Sequence, residues 1–125
     1  MYNDCVFSKD RKYRYVLKHR WDDLMPEKAC MWIGLNPSTA DERQLDPTLR
    51  RIRGFCTARD FNCFYMLNIF AFRSTDPKVM KKEKDPVGPE NDRWLNETAE
   101  KCGLIVACWG AHGEYAGRSD AVIRL

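Results

Sequence analysis

The chain lacks the marks of a membrane or secretory address. No apolar run approaches the length that spans a bilayer, and the amino-terminal stretch MYNDCVFSKDRKYRY has no apolar core of the signal-peptide kind. A metal framework is also missing. The six cysteines, Cys5, Cys30, Cys56, Cys63, Cys102 and Cys108, form no C-x-x-C pair, and no cysteine–histidine cluster has zinc-like spacing. Cys30, Cys63 and Cys108 lie in or beside apolar runs. Reduced, partly buried thiols in a cytoplasmic protein are therefore expected, with neither metal nor other cofactor. Strong charge is absent too: a net charge of +3 permits an anionic partner without demanding one. No repeat, linker or low-complexity segment is visible.

What is there fits one globular domain over residues 1–125, with 44% apolar and 12% aromatic residues. In KYRYVLKHRW, Tyr13, Tyr15 and Leu17 share one face while Arg14, Val16 and Lys18 share the other, the pattern of a half-exposed edge strand. ACMWIGL (Ala29 to Leu35), NCFYMLNIFAF (Asn62 to Phe72) and GLIVACWG (Gly103 to Gly110) are continuously apolar and read as strands buried on both faces. Asp46-Pro47 starts a helix whose inner face is Leu49, Ile52 and Cys56. DPVGPENDRWL starts another, with Trp94, Leu95, Thr98 and Cys102 inward. EYAGRSDAVIRL reads as a helix still running at Leu125. Strands alternating with helices predict a three-layer α/β/α domain with a mostly parallel central sheet. A parallel sheet wants a further strand after the last helix, so the domain is expected to be truncated, lacking its last strand.

Ligands bind open parallel sheets outside the carboxyl ends of the strands. The first buried strand delivers Asn36, Pro37, Ser38, Thr39, Asp41 and Glu42 there. The second delivers Asn68, Arg73, Ser74, Thr75 and Asp76, and the third Trp109, Gly110, His112 and Gly113. Each has a plainer explanation. Asn36-Pro37 can start a turn, Ser38 and Thr39 can cap one, and Asp46 suits a helix cap better than catalysis. His112 between glycines is more often solvent-exposed. Arg50, Arg51 and Arg53 are more often a solvated helix face, with phosphate contact the minority reading. The Lys81, Lys82 and Lys84 run fits a solvated loop, and Trp32 and Trp94 fit the core. Asn68 is harder to dismiss, because an amide inside an apolar strand costs free energy unless its hydrogen bonds are met, and a role in tying down a loop weighs evenly against a functional one.

The ordered blocks RYVLKHRW, LNPSTAD, DPTLRRIRGF, LNIFAFRSTDP, DPVGPENDRWL and WGAHG resemble bacterial and phage proteins grouped as domain of unknown function 1643. A more distant resemblance joins GLNPS, LNIF and ACWG, in that order, to motifs of the uracil-DNA glycosylase superfamily. That resemblance implies a uracil-DNA-glycosylase-like fold. It also implies that Asn36 positions water, that Asn68 reads the edge of a flipped base, and that Pro37 and Ser38 shape the loop near a phosphate.

Two departures matter. The superfamily's aspartate is Asn36 here, and an amide can orient water but cannot take its proton, which leaves Asp41 as the candidate base. The His-Pro segment that follows the last helix in that superfamily is not reached before Leu125. Two functions follow. One is hydrolysis of an N-glycosidic bond in DNA or a nucleotide. Asn36, Asp41 and His112 would be catalytic, Pro37, Ser38, Thr39, Asn68 and Arg73 would bind substrate, and Arg50, Arg51 and Arg53 would hold phosphates. The other is a non-catalytic nucleotide or nucleic-acid binding module on the same rim. The expected partner is nucleic acid or a nucleotide, not a membrane. A homodimer is also expected, because a truncated sheet edge invites pairing.

Overall fold

The computed structural model describes residues 3–125. Five strands, β1 (Asp4–Phe7), β2 (Arg14–Arg20), β3 (Ala29–Gly34), β4 (Cys63–Asn68) and β5 (Leu104–Ala107), form one sheet in the order β1-β2-β4-β3-β5. The helices are α1 (Pro47–Ala58), α2 (Pro77–Lys82), α3 (Asn91–Ala99) and α4 (Arg118–Ile123), with a 3-10 stretch (Ala111–Gly117) before α4. β3 pairs in parallel with both β4 and β5, whereas β1–β2 and β2–β4 are antiparallel. The sheet is therefore mixed, not mostly parallel as the alternation of elements predicts. The antiparallel half comes from β2, which precedes the parallel unit and enters from the opposite direction.

The parallel half explains where the helices lie. From β3 the chain passes through α1 to β4 on one side; from β4 it passes through α2 and α3 to β5 on the other side of β3. Right-handed crossovers in opposite lateral directions must use opposite faces of the sheet. Leu49, Ile52 and Cys56 of α1 pack on Leu17, Cys30, Phe64 and Met66. Met80, Leu95 and Val122 of the other helices pack on Met31, Ile33, Tyr65 and Leu67 across the sheet. The reversal of direction at β3 opens a crevice at its carboxyl end.

Several expectations shift. β2 is not an edge but lies between β1 and β4, mostly buried. The edge on that side is β1, too short and polar to stand out in sequence. β5 is not a buried strand. It is the opposite edge, with Leu104 and Ile105 39% and 48% exposed. The Lys81–Lys82 run ends α2, whose Asp76 side chain accepts from the Lys78 amide at 2.9 Å. The final helix is a 3-10 turn and a short helix separated by Ala116 at φ +56°. Trp32 and Trp94 are half-buried rather than fully in the core.

β2 also breaks its own alternation. Val6 pairs with Val16 but Phe7 pairs with Arg14, so Tyr15 is one residue too many, a β-bulge. Tyr15 and Val16 consequently both pack in the core on the α3 side, while Arg14 joins Leu17 on the α1 side.

Candidate functional site

Gly34 and Asn68 pair at the ends of β3 and β4, so their register fixes one wall of the crevice. The Asn68 side chain is only 1% exposed, and its Nδ2 has no hydrogen-bond partner among the described residues. A Cβ at position 34 would stand 2.8 Å from Asn68 Oδ1 and 2.6 Å from the Met66 methyl, so only glycine leaves the amide its place. The main chain is held from behind: Asn91 Nδ2 at the start of α3 donates to the carbonyls of Asn68 (2.8 Å) and Ile69 (3.2 Å).

The bulge brings Arg14 to the same pocket. It is 2% exposed, its Nη1 donates to the Ala40 carbonyl at 3.1 Å, and its Nε has no partner among the described residues. Burial pulls its pKa down to about 10, opposed by the nearby Asp46 carboxylate, and the side chain stays cationic near neutrality. No carboxylate lies within ion-pair distance of it among the described residues.

Asp46 completes the pocket. Its Oδ1 accepts from the Leu49 amide at 2.9 Å, capping α1, and its Oδ2 lies 3.3 Å from the Ser38 hydroxyl that donates to it. Asn36 and Pro37 also line this pocket, which holds about 160 Å3. A second, wider hollow of about 400 Å3 is lined by Lys12, Ser38, Thr39, Arg73, Ser74 and Thr75, among others. Ser38 belongs to both, so the hollows flank the 36–38 loop.

That loop explains Asn36. Its Nδ2 donates to the carbonyls of Ser74 (2.8 Å), Phe72 (3.3 Å) and Pro37 (3.3 Å), while the Ser74 amide donates to the Pro37 carbonyl at 2.8 Å. The donor end of this amide ties two loops together and is not turned to the pocket. Asp41 lies elsewhere: its Oδ1 accepts from the Arg43 and Gln44 amides at 2.9 and 3.2 Å in a local turn, and it does not line the pocket. His112 is remote from both hollows, exposed, with Nδ1 2.9 Å from Lys81 Nζ. Asn36, Asp41 and His112 are therefore not gathered around one point, and the carboxylate that does enter the pocket is Asp46.

Arg73 lines the wider hollow with its guanidinium 4.8 Å from the Phe7 ring centroid. Arg50 and Arg53 face a third hollow beside α1, whereas Arg51 is exposed and apart from it. Two residues were hidden from sequence reasoning. Arg14 looks like an exposed strand residue until the bulge turns it, and the one trace is the unbroken apolar triplet Tyr15-Val16-Leu17 inside an alternating run. Asp46 is legible as a cap but not as a pocket wall.

Chemically, the smaller pocket presents two buried donors without a partner among the described residues, Arg14 Nε and Asn68 Nδ2, and is also lined by the acceptor Asp46. Such a set suits a compact polar ligand with acceptor atoms along one edge. Among the described residues no group of three or more His, Cys, Asp or Glu side chains is placed to hold a metal, and no helix is long and apolar enough to cross a membrane. No curated protein and no solved structure matches the chain significantly. A family model matches residues 14–125, nearly the whole sequence. The chain belongs to the family described as Protein of unknown function (DUF1643).

Proposed function

We propose that the chain binds a nucleotide, free or within nucleic acid, with the base in the pocket of Arg14, Asp46 and Asn68. The base's carbonyl and ring-nitrogen acceptors meet Asn68 Nδ2 and Arg14 Nε, and its donors meet Asp46. Sugar and phosphate leave over Ser38 toward Lys12, Arg73, Ser74 and Thr75, where hydroxyls and cations suit phosphate oxygens. The observation that carries this reading is the pair of buried, unpartnered donors in one pocket. A buried donor left unmet costs about 1–3 kcal/mol, more if charged, and two such groups converging on a pocket are the mark of a ligand that meets them. The six free thiols fit a reducing compartment such as the cytoplasm.

Asp46 favours a second reading, hydrolysis of the N-glycosidic bond in the manner of the uracil-DNA glycosylase superfamily. Asp46 would take a proton from water as it attacks the sugar, and the bonding pair would leave on the base, stabilised by Arg14 and Asn68.

One experiment separates the two. A fluorescent mononucleotide, and single- and double-stranded DNA carrying deaminated or modified bases, are titrated with the parent chain and with Asn68→Asp and Asp46→Asn, following binding by anisotropy and free base by mass spectrometry. Binding without release, weakened about tenfold or more in Asn68→Asp, fits the binding module. Release abolished in Asp46→Asn fits the hydrolase. Absence of both binding and release in the parent sinks both readings.

A further inference from the structure

A third hollow, of about 490 Å3, runs along α1 on the side toward β2. Arg50 and Arg53, one turn apart on α1, meet Arg43 of the preceding loop there, and among the described residues no acidic side chain contributes to the lining. None of the three has a carboxylate within ion-pair distance among the described residues. Arg53 is further held over the Trp21 ring, 5.6 Å from its centroid.

The lining also includes His19, which is 3% exposed. Its Nδ1 lies 2.7 Å from Asn3 Oδ1. The Asn3 amide nitrogen donates to the Asp41 carbonyl at 2.8 Å and the Gln44 carbonyl at 3.4 Å, which fixes the amide's orientation and makes Oδ1 the end facing the ring. An amide oxygen only accepts, so Nδ1 carries the hydrogen and Nε2 of the neutral ring carries a lone pair. Nε2 is buried and has no partner among the described residues. Burial and the charge of Arg53 hold the ring's pKa down to about 4, so the neutral form prevails near neutrality.

Three unpaired cations above one acceptor nitrogen ask for a group that brings negative charge and a proton together. A carboxylate, a sulfate or an internal phosphodiester brings charge but no proton. A phosphomonoester, whose second pKa is about 6, brings both in its monoanionic form: its charged oxygens accept from the guanidiniums, and its remaining hydroxyl donates to Nε2. We infer that Arg43, Arg50, Arg53 and His19 form a site for a terminal phosphate, carried by a free nucleotide or by the end of a nucleic-acid strand. The site stands apart from the base pocket: the first turn of α1 lies between them, with Thr48 and Leu49 lining the one and Arg50 and Arg53 the other.

The test observes the two histidine rings by nitrogen-15 NMR of the full chain while inorganic phosphate, sulfate, a mononucleotide, and a short oligonucleotide with or without a 5′-phosphate are added. Phosphate is expected to move the Nε2 signal of His19 and not that of His112, and sulfate at equal concentration to move it far less. Arg50→Gln with Arg53→Gln, both on the exposed helix face, should weaken phosphate binding about tenfold or more. A response to the mononucleotide names a free nucleotide; a stronger response to the 5′-phosphorylated oligonucleotide names a strand end. The inference is overturned if His19 is unmoved by every probe, if sulfate matches phosphate, or if the unphosphorylated oligonucleotide moves His19 and does so as far as the phosphorylated one. Asn68→Asp removes base binding but should leave the His19 response intact, so either site can fail without the other.

Discussion

A guanidinium enclosed at Arg14, with no carboxylate partner and one carbonyl, that of Ala40, to accept from it among the described residues, is expensive to the fold. Arg14→Met keeps a long side chain of similar volume and removes the charge. We expect it to raise stability by about 1–2 kcal/mol in thermal melts while weakening nucleotide binding, an opposition that a purely structural arginine would not produce. At this scale the sequence was informative where a residue violates its neighbourhood. Asn68 stands out because an amide has no business in an apolar strand. Arg14 and His19 do not, because basic residues are ordinary in an alternating strand, and only the tertiary fold buries them.

Elements were legible where one signal dominates. β3 and β4 announce themselves as continuous apolar runs, and α1 by its Asp46 cap and Pro47. β5 carries the same apolar signal yet is exposed, since apolarity reports a strand's suitability for burial and not whether a neighbour covers it. β2 was phased wrongly because one bulge shifts every residue before it. Asn91 shows how elements support the pocket: it ties the start of α3 to the carboxyl end of β4. Asn91→Ala would leave the Asn68 carbonyl without that donor. We expect a loss of about 1–3 kcal/mol in urea denaturation together with weaker base binding, as Asn68 loses its anchor. Unchanged affinity would mean that the pocket holds Asn68 unaided.

At the scale of the whole molecule, the parallel half of the sheet makes the crevice, and the antiparallel half supplies Arg14 to it and His19 to the hollow beside α1. Neither half alone assembles a site, and for that reason pairing direction, which sequence periodicity does not encode, mattered more than any single strand assignment. The mixed sheet also leaves an apolar edge. β5 borders a trough of about 340 Å3 walled by Met31, Ile33, Leu95, Trp109 and Val122, among others. An open edge with exposed Leu104 and Ile105 invites another strand. Ile105→Lys is therefore expected to lower self-association in concentrated solution, measured by light scattering, with an unchanged circular dichroism spectrum.

The extra residue in β2 has an asymmetric consequence for how this family can diverge. Without Tyr15 the ladder would run evenly, Val6 against Val16 and Phe7 against Arg14, and the arginine would keep its direction. One residue gained there would instead turn it to the far face. Loss of the residue would keep the arginine's direction at the cost of a buried side chain, whereas insertion would reverse it. A relative one residue shorter at this point would align with a gap opposite Tyr15; alignment without one would set Arg14 against the wrong column.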